Sequence, residues 1–212
     1  MATLKDVLEK FLKVKSIARA DATVKQYRSI CSAMVTAVGE NMDINSISDD
    51  HMIDYVIEHL QGRESRYIDE LQKPVQQGGL SDESVRTHIR VLKAFWAWVA
   101  KVHRIPNPMD VIDMPKKPPA KIRAMQASVF RKIFEATEDT QTMVRDRALL
   151  SVLADSGGRP IAIVNMELRN VDVKLRQCKT IDKGNIQHTL HWSPITSSFL
   201  DAYISERKRV PT

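Results

Sequence analysis

Cysteine is scarce: only Cys31 and Cys178 occur in 212 residues, and they form no Cys-x-x-Cys pair. This excludes a cysteine-only zinc site and fits a reducing compartment. Long apolar runs are missing too. Nothing approaches the roughly 18 residues of a membrane span, and the opening MATLKDVLEKFLKVK carries Asp6 and Glu9, unlike a signal peptide. A soluble, cytoplasmic protein with no membrane partner is expected.

Acidic residues are absent from two informative places. Between Met114 and Phe134 there are six basic residues and no acidic one, in a stretch that includes PKKPPAK. Such a Pro-rich segment joins neither a helix nor a central strand, so it reads as an extended linker between domains or as a merely solvated tether. Between Glu83 and Asp110 the acids are missing again. The formal net charge of +6 lies wholly in the second half, because residues 1–110 hold 15 basic and 15 acidic side chains. Two domains of about 100 residues are expected for this length.

What is present in the first half is helical. Leu4, Val7, Leu8, Phe11 and Leu12 recur at helical spacing behind Thr3, an N-cap with Asp6 at N3. Val24, Tyr27, Cys31, Met34, Val35 and Val38 make a second stripe closed by Gly39, and Met52, Val56 and Leu60 a third between Ser48 and Gly62. Residues 63–79 are ambiguous. A fourth helix opens at GLSDE, carries Val85, Ile89, Leu92, Phe95, Trp96 and Val99, and stops near His103 before IPNP. Its other face presents Arg86, Arg90 and Lys93 at i, i+4 and i+7 beside Thr87. A basic face beside a buried one suits a helix resting on phosphates, although a solvated face has the same composition. The acids of this half crowd into residues 40–83, with 11 acidic against three basic, so charge is segregated by element.

The second half mixes helix and strand. AMQASVFRKIFEAT and TMVRDRALLSVLADS read as helices, the latter with Val144, Ala148, Leu149, Val152 and Leu153 apolar. Gly157 and Gly158 read as its C-cap pair, and Pro160 opens a further helix, IAIVNMEL. NVDVKLRQCKTID and GNIQHTLHWS read as short strands turning at Lys183-Gly184-Asn185, and residues 195–209 return to helix with Phe199, Leu200, Tyr203 and Ile204 apolar. Arg159, inside SGGRP, is either a solvated corner residue or a guanidinium presented to a ligand.

This order resembles the tyrosine recombinase (phage integrase) family. The similar stretches are ADATVKQYRSI, GLSDESVRTHIRVLKAFWAWV, the NP of RIPNP, RDRALLSVLADSGGRPIAIVNMELRNVD and IDKGN. The resemblance implies a mainly α chain: a SAM-like helical core-binding bundle over 1–110, a basic linker over 111–123, and over 124–212 the first part of a mixed α+β catalytic domain with a small antiparallel sheet. It places Arg159 on the family's first catalytic arginine and Lys183, 24 residues later, on the catalytic lysine. An arginine fork bonds two phosphate oxygens, and a lysine at a hairpin tip protonates the leaving oxygen, with no cofactor and no metal. Double-stranded DNA is the implied partner, held in a clamp. The candidate contacts are Lys25, Arg86, Thr87, Arg90, Lys93, Lys116, Lys117, Lys121 and Arg123.

The chain also departs from the family. Tyr27, Tyr55, Tyr67 and Tyr203 all precede the place of the family's nucleophile, His188-x-x-His191 lacks the arginine of the family's box, Ala162 replaces a usual glutamate, and Pro160 is unusual beside the arginine. Covalent chemistry by this chain alone is therefore not expected. Three readings stay open: the front part of a recombinase, a short inactive relative regulating transcription, or a helical protein-interaction module. Self-association through the C-terminal helix is expected if its apolar residues lack cover, and nucleoid association when DNA is bound.

Overall fold

The computed structural model describes residues 2–62, 79–117, 124–182 and 186–207. The ambiguous stretch, the later part of the linker, the hairpin tip at 183–185 and the last five residues lie outside them. The chain divides into two compact units, Met1–Lys121 and Ile122–Thr212.

The first unit is a helical bundle. Helix α1 (Leu4–Ala18) starts as its sequence dictates: Thr3 Oγ1 accepts from the Asp6 backbone N–H. Helix α2 (Asp21–Val38) ends at Gly39, whose φ of 128° is open to glycine. Helix α3 (Asp49–Asp54) runs directly into a π-helical segment, Tyr55–Gln61, closed by a bond from Gly62 N–H to Ile57 O at 2.7 Å. Met52, Val56 and Leu60 all face the core across this junction. Helix α4 (Asp82–His103) is capped by Ser81 and ends at Arg104 in the left-handed region, just ahead of Pro106. Phe11 anchors the core, with Phe95 at 5.2 Å, Trp98 at 5.4 Å and Tyr27 at 5.5 Å between ring centroids. Met109 is buried and Ile112 packs on the same core, so the chain stays with this unit beyond residue 110.

The second unit packs helices on a small antiparallel sheet. Its elements are α5 (Ala127–Glu135), α6 (Met143–Ser156), α7 (Pro160–Val164), β1 (Val171–Asp172), β2 (Gln177–Asp182), β3 (Ile186–His191) and α8 (Pro194–Arg207). The strand order is β1-β2-β3, with Cys178 paired to Leu190 and Thr180 to His188. Ala148, Val152, Ile163, Cys178, Leu190, Trp192 and Leu200 form the core. Three expectations are corrected. Helix α7 stops at Val164 rather than Leu168, because Asn165 leaves helical geometry and caps it. The buried stripe of α6 is Ala148, Ser151 and Val152, which turns Leu149 outward to 38% exposure. Gly158 does not share the cap with Gly157. Only Gly157 is left-handed, with φ 60°.

Among the described residues, no helix is long and apolar enough to cross a membrane.

Candidate nucleic-acid interface

In the first unit the buried stripe of α4 fixes which side chains face outward. Arg86 is half-buried, its Nε 3.8 Å from Glu83 Oε2. Arg90, one turn on, is exposed. Lys93 is half-buried and donates from Nζ to the Met109 carbonyl at 2.8 Å, which ties the turn after IPNP to the helix while its charge remains. Thr87 lines an open groove of about 350 Å³ with Gln26 and Ser29 of α2 and with Ser84. Gln26 and Ser29 were not singled out from the sequence, although their i, i+3 spacing on the polar side of α2 was the available signal. Lys25, Lys116 and Lys117 are exposed, whereas Lys121 and Arg123 lie outside the described residues.

In the second unit the SGGRP corner is built by four local devices. Ser156 Oγ donates to Val152 O at 2.6 Å and accepts from the Gly158 N–H at 3.1 Å. Gly157 turns the chain in the left-handed region. Gly158 makes room: a Cβ there would stand 2.6 Å from Leu190 Cδ2. Pro160 then occupies the first turn of α7, where its missing N–H costs nothing. Arg159 is left as the exposed N-cap residue, extended at φ −65° and ψ 143°.

The corner is joined to the sheet by Thr180, which is buried and donates from Oγ1 to the Ala162 carbonyl at 2.7 Å. Ala162 itself is fully buried. On the far side of α6, Asp155 Oδ2 accepts from the Ser193 backbone N–H and, at 2.9 Å, from Thr196 Oγ1, capping α8. These bonds, Ser193 first, hold the Asp155 carboxyl below the usual carboxylate range. Lys183 lies outside the described residues, so its distance from Arg159 is not part of this geometry.

Tyr27, Tyr55 and Tyr203, the tyrosines among the described residues, all have places away from SGGRP. Tyr27 packs on Phe11 and Tyr55 stacks on His59 in the first unit, while Tyr203 lines an apolar groove with Leu149 and Leu168. Burial pushes the Cys31 thiol up to about 12 and raises that of Cys178, which keeps both protonated and unreactive. His188 and His191 are exposed on β3. Among the described residues, no group of three or more His, Cys, Asp or Glu side chains could hold a metal ion.

The chain therefore has a helical bundle, a compact helix-and-sheet unit and an arginine set at a rigid helix corner, which is the architecture of an integrase-like fold. The fold of a lambda integrase tetramer bound to a Holliday junction matches 99% of this chain and 57% of that one, with a TM-score of 0.71 and 12% identity. A Tn1549 transposon integrase in complex with a circular intermediate DNA matches 100% of this chain and 68% of that one, with a TM-score of 0.70 and 11% identity. In sequence, the chain is 23% identical over 210 residues to the tyrosine recombinase XerC of Yersinia pestis, covering 98% of this chain and 65% of that protein. It is 26% identical over 133 residues to the XerC of Staphylococcus haemolyticus, covering 62% and 45%. The chain thus spans about half to two thirds of the length of these curated relatives. No family model matches it. In sequence and in fold the chain is thus similar to tyrosine recombinases and integrases, as the motifs suggested.

Proposed function

We propose that this chain binds duplex DNA as a recombinase-like protein, the first unit acting as the core-binding domain and the second supplying the Arg159 corner. Each unit contributes phosphate contacts to one duplex. In the first these are Arg86, Arg90 and Lys25, with Thr87 beside them and Lys93 adding charge; Lys116, Lys117, Lys121 and Arg123 continue them along the linker. In the second, Arg159 bonds a phosphate and Lys183 reaches the same site. The observation that carries this reading is Arg159 itself: an exposed residue at the N-cap of α7, on a corner whose backbone is held by Ser156, Gly157, Gly158 and Pro160.

The binding is reversible. With no tyrosine at the corner among the described residues, a nicked suicide substrate is expected to leave no covalent adduct on this chain; Tyr67 lies outside those residues. The chain works where DNA is, in the cytoplasm and on the nucleoid. Tyr203 and Ile204 of α8 are only half-covered, which supports self-association through that helix as a second property.

The test is a salt titration of DNA affinity. Replacing Arg86, Arg90, Lys116 and Lys117 by alanine weakens binding to all sequences and lowers the slope of log affinity against log salt by about 0.9 per lost contact. An unchanged affinity and slope in the quadruple variant rejects the reading.

A further inference from the structure

The second unit carries an open groove of about 770 Å³ that the contacts above do not use. One wall is the segment leaving α7, with Asn165 and Asn170; the other is the outer face of the hairpin, with Lys179 on β2 and Gln187 on β3. Register puts Lys179 opposite Thr189 and Gln187 opposite Ile181, so Lys179 and Gln187 share the face that points away from the buried Cys178 and Thr180. Among the described residues, the only carboxylate lining the groove, Glu167, is already engaged by Arg169 at 2.6 Å. Lys179 is thus the uncompensated charge there. Among the described residues the side-chain amides of Asn165 and Gln187 make no hydrogen bond, and both residues are exposed.

We infer that this groove seats a strand of the bound duplex, with Lys179 on a phosphate and the amides of Asn165 and Gln187 on base edges. The inference rests on the reading that Arg159 contacts DNA, and it adds where sequence is read. Helix α7 begins at the Arg159 cap and ends at the Asn165 cap. From the Arg159 cap to the Asn165 cap is six residue steps, a rise of about 9 Å at 1.5 Å each, between about two and three nucleotide steps of 3.4 Å. A strand held at Arg159 therefore meets Asn165 within a few bases. An amide offers a donor and an acceptor side by side, the pattern that base edges present. A lysine without a counter-ion supplies the phosphate contact.

The groove is tested by selecting preferred sequences from duplexes with a randomised central segment and by salt titration, using the full chain. Lys179→Ala lowers the salt slope by about 0.9 and leaves sequence preference intact. The double variant Asn165→Ala and Gln187→Ala keeps the slope and loses preference at one or two positions, with discrimination there falling at least about fivefold. All three side chains are exposed, and melting curves check the fold; Lys179→Gln, which keeps the bulk of the side chain, serves if the alanine variant melts early. If the parent chain binds DNA with a salt slope and a sequence preference that both variants retain, the groove is not an interface and the inference fails alone. If the parent chain binds no DNA, the underlying reading fails and this one with it.

Discussion

Gly158 lies directly beneath Leu190, so close that a Cβ on the glycine would stand 2.6 Å from Leu190 Cδ2 and 3.1 Å from Ser156 Oγ. Leu190 is 1% exposed and has little room to withdraw. Gly158→Ala is expected to cost about 1–3 kcal/mol, as overpacking in a core does. Gly157→Ala meets no atom within 4 Å but must hold φ at 60°, which costs about 1–2 kcal/mol. Gly157→Asn recovers part of that loss, whereas Gly158→Asn does not. Thermal melting of the four variants checks the separation.

Asp155 gives the second unit an acid-sensitive clasp between α6 and α8. Its carboxyl is held below the usual range, first by the Ser193 backbone N–H and then by the Ser193 and Thr196 side chains. A depressed folded-state value means that the stabilisation is present above the ordinary carboxylate range and is lost as pH falls through the folded value. Asp155→Asn is expected to lower stability at neutral pH and to flatten the acid limb of the stability curve. Asp155→Ala is expected to cost about 1 kcal/mol, the typical net worth of an intramolecular hydrogen bond. Denaturant unfolding across the acid range is the measurement.

Arg159→Ala is expected to weaken DNA binding by about 1.5–3 kcal/mol, the range for a hydrogen bond to a charged group. The corner's backbone is held by Ser156, Gly157 and Pro160, so the melting temperature should fall by far less than the binding does. Fluorescence anisotropy against labelled duplex, paired with melting, separates the two effects. A large loss of stability would make Arg159 a structural residue.

Arg90 and Lys93 lie three residues apart on α4 yet differ in duty. Arg90→Ala should reduce DNA affinity and the salt slope without changing stability. Lys93→Ala should also destabilise the first unit by about 1–2 kcal/mol, since it removes the donor to the Met109 carbonyl. Equal stability of the two variants would show that the lysine's bond contributes nothing net.

The sequence carried its locally written features well. Ser81, Gly39, Gly157 and Pro160 each mark a boundary through their own backbone chemistry, and each boundary stands where that chemistry puts it. Helix α7 was overestimated because its apolar run continues past Asn165, and a run of that kind does not say where the backbone turns. Leu149 was misplaced because two apolar residues in succession leave the phase of a helix undecided until a partner surface selects one. The bonds that hold the corner in place were out of reach. Asp155 meets Ser193 and Thr196 across 38 and 41 residues, and Thr180 meets Ala162 across 18, with nothing local to announce either pairing. Helical spacing read from the basic face alone could not show that Lys93 bends back to a carbonyl while Arg90 points outward.

The proline after Arg159 also has a bearing on time. It disfavours helical geometry for the residue before it, and Arg159 sits in the extended conformation that remains. Fixing a residue's backbone costs about 1–2 kcal/mol, and here folding has already met that cost before any phosphate arrives. The backbone that carries the guanidinium is therefore already in place. On the proposed reading, a phosphate arriving at this corner has no wait for the loop to take shape.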